Sequence, residues 1–358
     1  MAGGIVYALP ATCITSGQPK EPLRVTSVRV AIIGCGNFMS HHLPRLLALP
    51  EDQIVALVDP SSRALAATKQ RFPALADVPE FADHRAMLRA MAPDAVEIAT
   101  PHSFHYPQIL DAFAAGCHVL VEKPLVCTAA EGIDVLAKRD ASGRILLVSY
   151  QNHYLPPFRY VQETIAAGGI GDVQFVTGLQ SHGWYDEQRG QWRQDPKLAG
   201  GGQLIDWGSH LMDFFMYATG QAIVAVMARE LRFDLQVDVD MTIAARFAGG
   251  ALGSISHIGN AATPSWQDLG FYGSKGTLLL RSSRTHTPVD PELLRFDAGK
   301  QLVDPGALPE GSNPDKNFID AIQGRDTVRS TGEHGLRVLR VNEACWESAR
   351  TGREVPIA

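Results

Sequence analysis

The chain has 358 residues, of which 45% are hydrophobic and 20% charged, with a formal net charge of −6. This length exceeds the usual size of one hydrophobic core, so we predict two domains, and the composition is too apolar for extensive disorder. Lysines and arginines are scattered without a basic stripe, which argues against a nucleic-acid partner. No stretch approaches the roughly 18 consecutive apolar residues of a membrane span, so no membrane partner is predicted.

The N-terminal segment and the cysteines bear on where the protein works. Residues 1–27 lack the charged start of a signal peptide, since Lys20 is their first basic residue, and we predict that they form a loosely held extension. The five cysteines are odd in number and form no C-x-x-C pair, which favours reduced thiols in a cytoplasmic protein. They are Cys13, Cys35, Cys117, Cys127 and Cys345.

Short apolar runs alternate with helical segments in the first half of the chain. The runs lie at residues 28–33, 53–58, 95–99, 117–121 and 145–150. Segments with helical periodicity separate them at residues 62–71, 84–91, 106–115 and 128–140. Because continuous apolar runs are typical of strands buried on both faces, this alternation predicts an α/β Rossmann domain with a doubly wound parallel sheet over residues 28–150.

The pattern changes after residue 150. A helix is predicted at residues 157–167, and alternating apolar and polar residues predict strands at 173–182, 223–233, 241–247, 252–258, 269–272 and 277–280. Residues 151–358 are therefore expected to form an α+β domain with a large, mostly antiparallel, open-faced sheet. Helices at 314–323 and 332–350 are expected to pack back on the protein. The open sheet face predicts a homodimer or homotetramer.

A glycine-rich turn follows the first predicted strand and opens a helix. Gly34 and Gly36 permit close approach of backbone N–H groups to a pyrophosphate, beside Asn37 and Phe38 at the positive end of the helix. Met39 occupies the position of the third small residue, so the fingerprint is imperfect. We predict a dinucleotide site here; the alternative is an ordinary strand–helix turn.

Asp59 ends the second predicted strand. A carboxylate at this place accepts hydrogen bonds from the adenosine ribose hydroxyls. It would repel the 2′-phosphate of NADP, and only Arg63 is nearby to offset the repulsion. The predicted cofactor is therefore NAD, bound with the help of Asp59 and Arg63. The alternative is that Asp59 serves only the turn before Pro60.

Two polar groups follow later strands of the same sheet. The strand at 95–99 is followed by Thr100, Pro101, His102 and His105. The strand at 117–121 is followed by Glu122, Lys123 and Pro124. Open α/β sheets bind ligands at the carboxyl ends of their strands, so both groups are predicted to contribute to the cofactor site.

Asp206 and His210 follow the triple glycine of residues 200–202. Their i, i+4 spacing puts both side chains on one face of a helix, pointing at a common site. The alternative is a helix-capping aspartate with a core histidine. A metal site that adds His182 to this pair has too few ligands, so no metal is predicted.

Taken together, these segments resemble the glucose-fructose oxidoreductase, inositol dehydrogenase and rhizopine catabolism (Gfo/Idh/MocA) family. The resemblance covers roughly residues 28–356. It rests on Gly34-Cys-Gly36, Thr100-Pro101-x-x-x-His105, Ala115-Gly-Cys-His-Val-Leu-Val-Glu122-Lys123-Pro124, Gly200-Gly-Gly-Gln-Leu-Ile-Asp206-Trp-Gly-Ser-His210 and Gly273-Ser-Lys-Gly276-Thr. It implies an NAD-dependent oxidoreductase acting on a sugar or polyol.

The resemblance also implies catalytic roles. Lys123 would lie between nicotinamide and substrate, where an ammonium stabilises an alkoxide as hydride leaves. His210 would act as the general base, with Asp206 orienting the substrate or the imidazole. Pro124 would follow a cis peptide bond.

Further substrate-binding candidates lie near these positions. They are Gln151, Asn152, Trp184 and Arg193, because aromatic faces stack on sugar rings and guanidinium groups grip hydroxyls or carboxylates. A core role for the tryptophan is an equal alternative. Many relatives carry Asn in place of His102 and Arg in the stretch that here reads Tyr150-Gln-Asn-His153, so we expect a different substrate preference.

Three functions fit these residues. The first is a dehydrogenase that transfers hydride between a sugar, cyclitol or sugar-derivative hydroxyl and NAD. The second is a glycosidase that retains NAD, oxidises the sugar transiently and eliminates the aglycone. The third is a non-catalytic NAD-binding sensor, which usually requires loss of the lysine or histidine that this chain retains. We expect the first.

Overall fold

The computed structural model describes residues 27–50, 52–284 and 291–357. The predicted extension over residues 1–27 lies, apart from its last residue, outside the described residues. No helix among the described residues is both long and apolar enough to cross a membrane.

A six-stranded parallel sheet forms the first half. Its strands are β1 Val28–Ile33, β2 Asp52–Val58, β3 Glu80–Phe81, β4 Ala95–Ile98, β5 His118–Val121 and β6 Leu146–Val148. Their order is β3-β2-β1-β4-β5-β6, and every neighbouring pair is parallel. The helices that alternate with them are α1 Met39–Leu46, α2 Ser62–Arg71, α3 His84–Met91, α4 His105–Ala114 and α5 Ala129–Ser142. The predicted Rossmann fold is confirmed.

Both faces of this sheet are buried. In β1, Ala31 and Ile33 belong to the larger hydrophobic cluster, whereas Val30 and Ile32 belong to a smaller cluster on the opposite face. Because neither face meets water, the strand is a continuous apolar run. The carboxyl ends of the strands remain as the place where polar side chains gather.

The second half contains a nine-stranded sheet. Its elements are α6 Pro156–Ala166, β7 Val173–Ser181, α7 Trp184–Glu187, α8 Pro196–Ala199, α9 Ser209–Thr219, β8 Ile223–Leu231, β9 Asp240–Phe247, β10 Leu252–Ile258, β11 Ser265–Gly273, β12 Gly276–Arg284, β13 Glu292–Phe296, β14 Leu302–Val303, α10 Pro314–Ile322, α11 Gly332–Thr351 and β15 Val355–Pro356. The order is β14-β13-β12-β11-β7-β10-β9-β8-β15. Only β7 and β10 pair in parallel, so the predicted mostly antiparallel sheet is confirmed.

Two strands of this sheet are longer than predicted. β11 begins at Ser265 instead of residue 269, and β12 ends at Arg284 instead of residue 280. The added ends carry polar residues such as Gln267 and Ser282, which hide the apolar alternation that marks a strand. These polar ends matter because they line a cavity described below.

Helices cover one face of the sheet. α9 packs so closely on β7 that a Cβ added at Gly178 would lie 2.6 Å from the Phe215 ring. α10 packs against α1 of the first half, and its Phe318 and Ile319 belong to the smaller hydrophobic cluster there. The C-terminal helices thus return to the body of the protein.

Candidate active site

The glycine-rich turn has the geometry of a dinucleotide cradle. Gly34 has a φ of +97°, and a Cβ there would lie 2.7 Å from the carbonyl oxygen of Ala99, so no other residue fits. A Cβ at Gly36 would meet nothing within 4 Å, because this residue faces an open cleft. The turn therefore leaves room for a pyrophosphate beside its backbone N–H groups at the start of α1.

Asp59 follows β2 and is tied to this turn. Its carboxylate accepts the backbone N–H of Cys35 at 2.9 Å and that of Ser61 at 2.8 Å. Each carboxylate oxygen has a second lone pair, so Asp59 serves the turn and still faces the cleft, where ribose hydroxyls would donate to it. A role of Asp59 in the turn before Pro60 is therefore compatible with the predicted role in binding the ribose.

A long open cleft lies at the carboxyl ends of the strands. Most of the predicted cofactor-binding residues line it, namely Gly34, Gly36, Asn37, Phe38, Asp59, Thr100, Pro101, His102, Glu122 and Lys123. Arg63 instead lines an adjoining hollow with Arg71. The cradle, the carboxylate and the long cleft fit NAD.

His102 and His105 occupy different places. His102 faces the cleft, with its Nδ1 2.8 Å from the carbonyl oxygen of Ala199, and burial lowers its pKa to about 3, so the ring is neutral. His105 lies behind the cleft wall and joins the carbonyl oxygens of Pro124 and Thr100, each at 2.9 Å. Sequence reasoning assigned both to the cofactor, whereas the contacts of His105 hold together the two loops that carry cofactor-site residues.

Lys123 is a buried ammonium at the end of β5. It is 3% exposed, it precedes the cis Lys123–Pro124 peptide, and its Nζ donates to Asp206 Oδ1 at 2.7 Å and to the Asp206 carbonyl at 2.9 Å. An ammonium has three N–H donors, so one remains for a ligand. Nζ also lies 5.7 Å from the centroid of the Phe38 ring.

Asp206 compensates two cations. It sits in a π-helical turn, Leu204–Gly208, and its Oδ2 accepts the indole N–H of Trp184 at 2.9 Å and lies 3.1 Å from Arg193 Nε. Burial would raise the pKa of Asp206, but the charges of Lys123 and Arg193 hold it well below its usual range. Asp206 is therefore a permanent anion that fixes Lys123.

A second cavity adjoins the cleft and shares Phe38, Glu122 and Lys123 with it. His210, half-buried at the start of α9, lines this cavity, with its ring centroid 6.1 Å from that of Tyr150. The predicted substrate residues Gln151 and Asn152 also line it. Lys123 and His210 thus face one cavity. The convergence of Asp206 and His210 was argued from a regular helix, but the π turn carries Asp206, which does not line this cavity.

Arg193 and Trp184 lie outside this cavity. Arg193 lines the cofactor cleft, where its Cζ lies 5.3 Å from the centroid of the Phe38 ring, and Trp184 is fully buried in a small hydrophobic cluster. Sequence reasoning missed several other residues that line this second cavity, which are Ser149, Gln180, Trp207, Ser265, Trp266, Gln267 and Ser282. Most of them come from the polar ends of strands, where apolar periodicity gives no signal.

Family models match most of the chain. Residues 28–150 match the model described as oxidoreductase family, NAD-binding Rossmann fold; residues 158–279 match the GFO/IDH/MocA C-terminal domain; and residues 311–357 match the oxidoreductase family C-terminal alpha/beta domain. The chain belongs to the Gfo/Idh/MocA oxidoreductase family. It is thus an NAD-binding oxidoreductase, as the sequence motifs predicted.

Individual Gfo/Idh/MocA proteins are similar along nearly the whole chain. The D-glucoside 3-dehydrogenase of Escherichia coli strain K12 is 24% identical, over 94% of this chain and all of the relative. The scyllo-inositol 2-dehydrogenase (NADP⁺) of Bacillus subtilis strain 168 is 25% identical, over 94% of this chain and 98% of the relative. The WlbA dehydrogenase of Bordetella pertussis, solved with NADH and UDP-GlcNAcA, superposes with a TM-score of 0.79 at 22% identity, covering 94% and 99% of the two chains.

The place of Asp59 predicts how the protein discriminates between NADH and NADPH. In Asp59→Asn the repulsion of a 2′-phosphate is removed while one oxygen still accepts a turn N–H, so the affinity for NADPH relative to NADH should rise roughly tenfold or more. Fluorescence titration of both dinucleotides measures this ratio. The exposed Asp77, changed to Asn, is the control and should leave it unchanged; an unchanged ratio in Asp59→Asn would show that the carboxylate does not select the cofactor.

Proposed function

We propose that this protein is an NAD-dependent dehydrogenase that oxidises a secondary or anomeric hydroxyl of a sugar, cyclitol or sugar derivative, or catalyses the reverse reduction. The observation that carries the proposal is the buried ammonium of Lys123 at the junction of the cofactor cleft and a polar cavity. Bound NAD supplies the hydride acceptor.

Lys123 is the group that stabilises charge on the reacting oxygen. Its Nζ is held by Asp206 through two hydrogen bonds, which leaves one N–H for a substrate hydroxyl. The oxygen becomes more negative as the hydride departs, and a preorganised buried donor binds that oxygen more strongly in the transition state than in the ground state.

His210 is the proton acceptor. Asp206 is committed to Lys123, Arg193 and Trp184, so among the described polar residues near Lys123 the imidazole of His210 is best suited to take the hydroxyl proton. The substrate would then lie between Lys123 and His210, with its hydroxyl oxygen near both.

The lining of the cavity suits a polyhydroxylated ligand. Amide side chains, serine hydroxyls and two indoles surround it, a set that combines hydrogen-bonding groups with faces on which sugar rings stack. The relatives named for glucoside and inositol dehydrogenation support the same substrate class.

A panel of sugars, glycosides and polyols tests the proposal. We expect a rise in absorbance at 340 nm with NAD and at least one member of the panel. Aglycone release from a glycoside with no net NADH would instead support the NAD-retaining glycosidase. NAD binding without any turnover over a broad panel would support the sensor and contradict both enzymatic functions.

We also propose a homodimer or homotetramer joined through the open sheet face. Phe175, Leu252 and Tyr272 are paired across β10, β7 and β11, and each is at least 36% exposed, so they form a contiguous apolar row. Light scattering should give a multiple of the 38.8 kDa chain mass, and Leu252→Glu should lower it. Ile133→Glu, at a residue equally exposed on α5, is the control; a wild-type mass of one chain would refute the proposal.

A further inference from the structure

A buried charge network lies beneath the Glu122–Lys123 strand end. Its centre is His42 of α1, which is 2% exposed. One ring nitrogen, Nε2, lies 2.9 Å from Glu122 Oε1, and the other, Nδ1, lies 2.7 Å from Asp315 Oδ1 of α10. Arg45 holds the second oxygen of Asp315 at 3.2 Å. The network therefore connects α1, the end of β5 and the C-terminal helix α10.

His42 is a doubly protonated imidazolium. Both ring nitrogens face carboxylate oxygens, which accept hydrogen bonds and cannot donate them when ionised, so each nitrogen must carry a proton. Burial would lower the pKa of His42, but Asp315 and Glu122 hold it well above its ordinary value. Burial and the charge of Asp315 raise the pKa of nearby Glu97 well above its ordinary value.

The imidazolium determines the state of Glu122. Burial alone would raise the pKa of Glu122, but the hydrogen bond and the charge of His42, with smaller contributions from Lys123 and Ser149, lower it to about 2. Glu122 lines both cavities and immediately precedes Lys123. Glu122 is thus hydrogen-bonded to His42, whereas the Lys123 ammonium donates its hydrogen bonds to Asp206.

We propose that His42 is a positioning residue for Lys123: its buried imidazolium holds the Glu122 carboxylate and thereby fixes the strand end from which Lys123 reaches the substrate. The inference rests on the proposed dehydrogenase function. Without the imidazolium, an ionised Glu122 turns towards Lys123 or takes up a proton, and either change moves the ammonium away from the reacting oxygen.

A double-mutant cycle with Glu122 tests this role. His42→Gln should lower kcat roughly 10- to 100-fold, the effect of losing a hydrogen bond to a charged group, while KM for NAD changes less than threefold. His42→Gln combined with Glu122→Gln should be no slower than the slower single variant, because both act through one contact. His41→Gln, the same change at the exposed neighbour in α1, should retain full activity.

One further variant and a metal analysis complete the test. Asp315→Asn preserves the size of the side chain and should also lower kcat, by a smaller factor than His42→Gln. It provides the test if the His42→Gln protein does not fold. Losses that multiply in the double variant, or a kcat within twofold of wild type in His42→Gln, would overturn the proposal. So would a stoichiometric metal that disappears in His42→Gln, because the ligand atoms of His42, Glu97 and Asp315 lie within 4.8 Å of one another.

A spectroscopic signature separates this proposal from the dehydrogenase function. In protein labelled with ¹⁵N-histidine at pH 8, one signal of a ring with two protonated nitrogens should be present in wild type and His41→Gln and lost in His42→Gln. Any such signals of His105 and His153, whose ring nitrogens also face acceptor oxygens, should remain in all three proteins. If that signal is present but no sugar or polyol is oxidised, the proposed dehydrogenase function fails, whereas the contact between the His42 imidazolium and Glu122 is supported. If the signal is missing from wild type, the positioning role of His42 is refuted, even when the enzyme is active.

Discussion

Lys123→Met should lower kcat by roughly 10²- to 10³-fold, the usual cost of removing one preorganised donor to a developing oxyanion. Methionine has a length similar to that of the lysine stem and carries no charge, so the cavity keeps its shape. Asp206 retains Arg193 and Trp184 as partners, which limits the destabilisation that a newly unpaired buried carboxylate would cause.

NAD binding should survive this change, because the cradle at Gly34 and Gly36 and the carboxylate of Asp59 are untouched. Fluorescence titration of NADH together with steady-state kinetics separates the two effects. Lys69→Met, which removes only a surface ion pair with Glu80, is the matched control. A Lys123→Met enzyme with kcat within fivefold of wild type would refute the assignment of the ammonium to the reacting oxygen.

His210→Asn should lower kcat roughly 10²- to 10⁴-fold, the range that general-base catalysis contributes. A base works in its unprotonated form, so the wild-type rate should fall as the pH falls and the imidazole takes up a proton. The variant has no such group, and its residual rate should lose this acidic limb. Asp206 cannot supply the limb, because the charges of Lys123 and Arg193 keep its pKa far below the assay range.

The pH profile of kcat/KM for wild type and variant measures this effect. His118→Asn is the matched control, since His118 is another half-buried histidine and lines neither cavity. A His210→Asn enzyme that keeps the acidic limb would show that another group accepts the proton, even if its rate is low.

The sequence predicts most of the residues that line the long cleft, because their positions depend on local rules. Gly34 and Gly36 follow an apolar strand and open a helix, and Asp59 ends the next strand, so spacing along the chain is enough to place them. The same holds for Lys123, which directly follows β5. In each case the strand end determines where the side chain lies.

The lining of the second cavity depends on contacts between distant segments, which periodicity does not reveal. Ser265, Gln267 and Ser282 are polar residues at strand ends, and their place in the cavity follows only from the pairing of β11 with β12. The sequence does not reveal the π turn around Asp206 either, because an i, i+4 pattern is also typical of a regular helix. His42 and Asp315 are 273 residues apart, so no local signal joins them.

The return of α10 to the first half makes that half a discontinuous folding unit. Phe318 and Ile319 complete the smaller hydrophobic cluster, and Asp315 completes the charge network around His42. A gene fragment that stops after β6 would therefore expose apolar surface and leave a buried imidazolium with one partner. In topological terms, strands β7 to β14 are inserted within a nucleotide-binding unit, and its last piece, α10, follows them along the chain.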